Sequence, residues 1–268
     1  MITPEVLTAF LITLFAGLAT GIGSTLAFFT KTTNTRFLAV ALGFSAGVMI
    51  YISMVELFFT ARETIVEEMG KSKGEWINLA SFFGGILLIA IIDRLVPSAE
   101  NPHEIKKVED IEDKNGSKKI KLKRLGLLAA IAIAIHNFPE GMATFFASLH
   151  DLSVGIPIAI AIAIHNIPEG IAISVPIYFS TGSRRKAFFY SFLSGLAEPL
   201  GAVAGFLILG PIMNDLVFGI IFASIGGIMV FISFDELLPA AREYGEHHLS
   251  VYGLVAGMAV MGISLVIL

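Results

Sequence analysis

Runs of 20 or more largely apolar residues follow one another along the chain, eight of them in all, at about 5–30, 36–59, 76–96, 125–148, 153–179, 187–210, 215–239 and 249–268. A helix needs about 20 such residues to cross the hydrocarbon core of a bilayer. Only helices and closed barrels satisfy their backbone hydrogen bonds within lipid. These runs therefore predict an all-α, polytopic membrane protein with eight transmembrane helices. Composition agrees, since 55% of the 268 residues are hydrophobic, 15% are charged and the mean hydropathy is +0.82. The first run lacks a basic leader and is too long for the core of a signal peptide, so it reads as a spanning helix.

The connections are short except for one. Residues 97–124, PSAENPHEIKKVEDIEDKNGSKKIKLKR, are too charged to enter lipid and have the composition of a solvated loop, His103 included. Residues 1–268 thus read as a single transmembrane domain carrying one charged loop. Fifteen of the 18 Lys and Arg lie on the side of the odd-numbered connections, leaving Arg62, Lys71 and Lys73 on the other. By the positive-inside rule both termini face outward and the long loop is cytoplasmic. The formal net charge of −4, with basic residues confined to connections, excludes a nucleic-acid partner. The absence of Cys excludes disulfides, thiolate metal sites and a cysteine nucleophile.

Internal repeats organise the helices. YISMVELFFTARE (51–63) aligns without gaps on FISFDELLPAARE (231–243), matching at Ile52, Ser53, Glu56, Leu57, Ala61, Arg62 and Glu63, an offset of 180. Upstream, GLATGIGSTLAFF (17–29) aligns more weakly on GLAEPLGAVAGFL (195–207), an offset of 178. Five crossings separate each pair of copies, so the copies run in opposite directions through the membrane. An inverted pseudo-two-fold is therefore expected to relate helices 1–3 with 6–8, and helix 4 with helix 5. Inverted repeats around a polar site near the midplane are typical of secondary transporters.

Helices 4 and 5 carry AIAIHNFPEGMA from residue 132 and AIAIHNIPEGIA from residue 161. Four residues separate His136 from Glu140, and His165 from Glu169, so on a helix each pair shares a face. Asn137 and Asn166 lie about 100° round from those histidines, within reach of the same glutamates. Pro139 and Pro168 each remove an amide donor and are expected to disturb the helix around the carbonyls of Ile135 and Ile164. Several ionisable groups in lipid are expensive and mark a pathway. Imidazole, amide oxygen and carboxylate together suit divalent first-row metals, and a set without thiolate releases its ion readily. Glu198, in GLAEPLGA on helix 6, is a third element with no nearby cation in sequence. Glu56 and Glu236 sit near Arg62 and Arg242, where interfacial ion pairs compete with a metal role. His247 and His248 read as a solvated turn, and Gly17, Gly21, Gly84, Gly85, Gly226 and Gly227 as sites of close helix packing.

The HNFPEG and HNIPEG motifs, with Glu198-Pro199 on helix 6, resemble the signature of the ZIP family of divalent-metal transporters. The resemblance spans the whole chain and is strongest to the bacterial zinc transporters of that family. It implies a binuclear centre: His136, Glu140, His165 and Glu169 as one metal site, and Asn137, Asn166 and Glu198 with bridging Glu140 and Glu169 as the second. It further implies movement of Zn²⁺, with Fe²⁺, Mn²⁺, Co²⁺ or Cd²⁺, across the cytoplasmic (inner) membrane of the cell into the cytoplasm. The metals are then cargo, with no resident cofactor, and the expected partners are the ions, the bilayer and a second copy in a homodimer. The rival is an intramembrane metal-dependent hydrolase built on the same ligands. Against it stand the lack of any His-Glu-x-x-His pair and of an acid or base outside the ligand set.

Overall fold

The computed structural model describes residues 3–27, 35–95, 137–244 and 247–267. His136, His103 and the charged loop over 97–124 lie outside the described residues, as does the first part of the fourth apolar run. Among the described residues the chain is entirely helical, in eight helices. Helix α1 is Pro4–Ala27, and α2 runs over Thr35–Tyr51, passes through a π-helical turn at Ile52–Leu57 and resumes over Phe58–Met69. Lys71–Leu95 forms α3, residues 137–150 belong to α4, and Leu152–Thr181 forms α5. Helix α6 covers Arg184–Gly195 and Ala197–Leu209, with a 3-10 turn at Gly210–Ile212. Helix α7 covers Asp215–Ile232, a π turn at Ser233–Leu237 and Leu238–Tyr244, and α8 is His247–Ile267. Seven of the eight have described stretches long and apolar enough to cross a membrane.

Local signals end these helices where the chain turns. Gly70 (φ 77°) and Gly182 (φ 64°) adopt positive φ after α2 and α5, a conformation that costs glycine nothing. Side chains of Asp151, Ser183 and Asn214 accept hydrogen bonds from the first-turn amides of α5, α6 and α7. The Ser153 amide beside Asp151 holds its carboxyl below the ordinary carboxylate range. That contribution is present at pH above the range and is lost as pH falls through the lowered value.

Two features differ from the sequence expectation. The second helix continues ten residues past its apolar run to Met69, because FFTARETIVEEM is amphipathic and buries Ala61 and Ile65 against α3 and α7. Its Arg62 pairs with Glu75 of α3 rather than with Glu56, which instead accepts from the Thr60 hydroxyl at 3.3 Å. The prolines also act unequally. Helix α5 stays helical through Pro168, whereas α6 breaks at Leu196 and restarts at Ala197. That restart places Pro199 in a first turn, where its missing N–H costs no internal bond.

Glycine contacts establish the inverted repeat in three dimensions. A methyl group on Gly23 of α1 would strike the Ile167 carbonyl of α5, and one on Gly201 of α6 would strike the Phe138 carbonyl of α4. The two contacts map onto each other at the offsets of 178 and 29. So do the contacts of Gly170 with the Thr20 carbonyl and of Gly141 with the Glu198 carbonyl, while Gly17 and Gly195 abut across the axis itself. In the other half, Gly47 meets the Leu254 carbonyl of α8 as Gly227 meets the Phe82 carbonyl of α3. Burial follows the same pairing: the apolar stretches are 44% buried in α1 and α6, 67% in α2 and α7, and 22% in α3 and α8. The order of buried and exposed positions along 51–60 recurs residue for residue along 231–240, over the two π turns.

Helices α1, α4, α5 and α6 pack as one set, and α2, α3, α7 and α8 as another, with α2 packed against α5 between them. Central α2 and α7 supply Met49, Ile52, Leu57, Phe222, Met229 and Ile232 to the core. The outer faces of α3 and α8 turn Trp76, Phe83, Leu87, Tyr252, Val255 and Ile263 outward, an apolar surface suited to lipid. Gly84 has no atom near a Cβ position, unlike the other glycines expected at packing contacts such as Gly85, which meets the Ser224 carbonyl. Gly47→Ala and its symmetry mate Gly227→Ala are expected to destabilise the protein alike, by about 1–3 kcal/mol. Thermal unfolding in detergent should show both losses and none for Gly84→Ala.

Candidate metal-transport site

The twin motifs meet in the first helical set. Asn137 and Glu140 lie at the start of the described part of α4, His165, Asn166 and Glu169 midway along α5, and Glu198 just after the break in α6. None of the six is more than 2% exposed. Burying carboxylates at this depth is costly unless each finds a partner, and two polar clusters on consecutive residues of α5 provide partners.

In the first cluster the His165 Nε2 stands 3.1 Å from Glu140 Oε2 of α4 and 4.0 Å from Glu169 Oε1 of its own helix. One imidazole nitrogen is thus set between two carboxylates from different helices. In the second, the Asn166 amide donates to the Ala16 carbonyl of α1 at 2.9 Å and to Glu198 Oε1 of α6. Asn137 is held in the corresponding way, its amide donating to the Ser194 carbonyl of α6 at 3.4 Å. Ala16 and Ser194 differ by 178 and Asn137 and Asn166 by 29, so the repeat that places the helices also places the carbonyls that clamp the asparagines. The Ser45 hydroxyl of α2 reaches the His165 carbonyl at 3.5 Å, tying the site to the second helical set.

Of the sequence-predicted residues, Glu140, His165 and Glu169 come together around one nitrogen, and Asn166 and Glu198 touch directly. Asn137 turns to α6, and His136 lies outside the described residues. Among the described residues, no three His, Asp or Glu side chains already surround one metal-sized point. His165 pairs directly with Glu140, and Asn166 with Glu198. Sequence reasoning missed the carbonyls of Ala16 and Ser194. Their signal was the weak alignment of helices 1 and 6, which stops one residue short of both.

A sequence profile described as ZIP Zinc transporter matches residues 95–265. The chain belongs to the ZIP family. It is 63% identical over 260 residues to the zinc transporter ZupT of Streptococcus mutans, covering 97% of each chain. Identity is 62% over 265 residues to that of Oceanobacillus iheyensis, covering 98% of this chain and 99% of the relative. For that of Nitratidesulfovibrio vulgaris it is 58% over 270 residues, covering 98% of each. ZIP proteins of this description are transporters, so the hydrolase reading of the same ligands falls away.

The Asn166 side chain bridges α5 to both α1 and α6. Asn166→Ala is expected to cost about 1–3 kcal/mol through the buried groups it leaves behind. Denaturant or thermal unfolding of the purified protein measures the loss.

Proposed function

We propose that the chain carries divalent metal cations, Zn²⁺ foremost, across the cytoplasmic membrane into the cytoplasm. The observation that carries this reading is the His165 imidazole set between Glu140 and Glu169, deep in apolar helices. A cation arriving there exchanges one proton-mediated contact for nitrogen and carboxylate ligands without rebuilding the helices. His136, next to Asn137 in the first motif, completes this set, and Asn137, Asn166 and Glu198 form a second, oxygen-rich site with Glu140 and Glu169 between the two. Oxygen-rich ligation extends the cargo to Fe²⁺, Mn²⁺, Co²⁺ and Cd²⁺. The names of the ZupT relatives support zinc.

Transport proceeds by movement of the ligand-bearing set, α1, α4, α5 and α6, against the scaffold of α2, α3, α7 and α8. The inverted repeat supports two end states of nearly equal construction, one open to each side. Imidazole binds metal only when neutral and carboxylates only when ionised, so protons compete with the cargo throughout. Both termini face outward and the charged loop over 97–124 faces the cytoplasm, in accord with the distribution of Lys and Arg.

Purified protein in liposomes is expected to accumulate Zn²⁺. Glu140→Ala and Glu169→Ala should each reduce the initial rate by more than ~100-fold, beyond the range found even for changes around a metal ligand. Glu198→Ala should alter rate or selectivity more mildly. Uptake at the parent rate by either of the first two variants would falsify the site.

A further inference from the structure

The inverted repeat assigns every ligand-bearing position a partner, and one partner has no role in the reading above. At the offset of 178 Glu198 of α6 corresponds to Thr20 of α1. The structure bears out the correspondence twice. Glu198 presents its carbonyl to Gly141 and its Cβ to Gly17, while Thr20 presents its carbonyl to Gly170 and its Cβ to Gly195. Glu198 is the carboxylate that receives Asn166, so the place of Thr20 is that of the group expected beside Asn137.

Thr20 is fully buried, and its hydroxyl has no hydrogen-bond partner among the described residues. Its helix shows why. Thr8, Thr13, Ser24 and Thr25 of α1 each donate to the carbonyl four residues back, at 2.9, 2.9, 3.0 and 2.9 Å. The matching acceptor for Thr20 is the Ala16 carbonyl, and that oxygen is taken by Asn166. The clamp on the metal-site asparagine thus diverts the one α1 hydroxyl that occupies a ligand-equivalent position. A buried hydroxyl without a partner costs free energy, and a divalent cation would repay it.

We propose that Thr20 is a further residue of the transport site, its hydroxyl oxygen a donor to the divalent cation in the half of the site built around Asn137. The proposal rests on the transport reading above and deepens it. It makes the two half-sites unequal: Glu198 brings a charged, longer donor to the Asn166 half, and Thr20 a neutral, shorter one to the Asn137 half. Thr20 then helps to set affinity, and with it selectivity, because a hard oxygen donor counts for more with Mn²⁺ than with Zn²⁺.

The test compares the parent with Thr20→Val, which keeps the side-chain shape, with the smaller Thr20→Ala and with Thr20→Ser. Zn²⁺ and Mn²⁺ are the probes, by calorimetric Kd in detergent and by KM and kcat of uptake into liposomes. Both hydroxyl-free variants should raise Kd and KM about 5- to 10-fold, more for Mn²⁺ than for Zn²⁺, with Thr20→Ser within about twofold of the parent. Should Thr20→Val fail to fold, Thr20→Ala carries the same comparison. Parent-like Kd and KM in the hydroxyl-free variants, or a Thr20→Ser as impaired as they are, overturns the proposal. Glu169→Ala run alongside separates the two claims. If it loses Zn²⁺ binding while the hydroxyl-free variants keep it, Thr20 alone is excluded; if it binds like the parent, the transport site itself is.

Discussion

Carboxylates sunk in apolar helices dictate most of this architecture. Glu140, Glu169 and Glu198 cannot be left without partners at this depth, and consecutive residues of α5 supply them. His165 lies between two of them and Asn166 holds the third. The asparagines are oriented in turn by main-chain carbonyls of α1 and α6. Those carbonyls reach them where Gly23 and Gly170 bring α1 onto α5, and where Gly141 and Gly201 bring α4 onto α6. The glycines, the helix break ahead of Pro199 and the buried polar groups are therefore one construction.

Symmetry of the frame and asymmetry of the site belong to different levels. Burial, π turns and glycine contacts of the two halves agree at the level of single residues. Glu198 opposite Thr20 is one departure from this agreement in sequence.

The described contacts between the two helical sets are of a different kind. Ser45 reaches the backbone carbonyl of His165, whereas its ring nitrogen Nε2 lies near Glu140 and Glu169. At the far end of α4, His150 stacks on Phe218 of α7 with ring centroids 4.3 Å apart. Contacts like these position one set on the other without interlocking backbones. Within each set the glycine crossings do interlock them.

The eight helices, the inverted repeat and the paired polar motifs were legible in the sequence, because lipid imposes a length on every span and a penalty on every buried charge. Chemistry-bearing residues stand out against such a background, as the twin motifs and Glu198 did. Hidden from it were features that depend on what lies across a helix interface. The extension of α2 to Met69 was missed because charged residues end its apolar run, and only its packing on α3 and α7 shows which face is buried. Arg62 chose Glu75 over Glu56 because the turn at Gly70 brings α3 alongside. Main-chain oxygens are the same in every residue, so nothing in the letters marks Ala16 and Ser194 as clamps. The sequence alone determined which groups must be kept from lipid, through their polarity and spacing. Which carbonyl, hydroxyl or carboxylate meets each of them was decided by the tertiary structure, since close helix approach sets those distances.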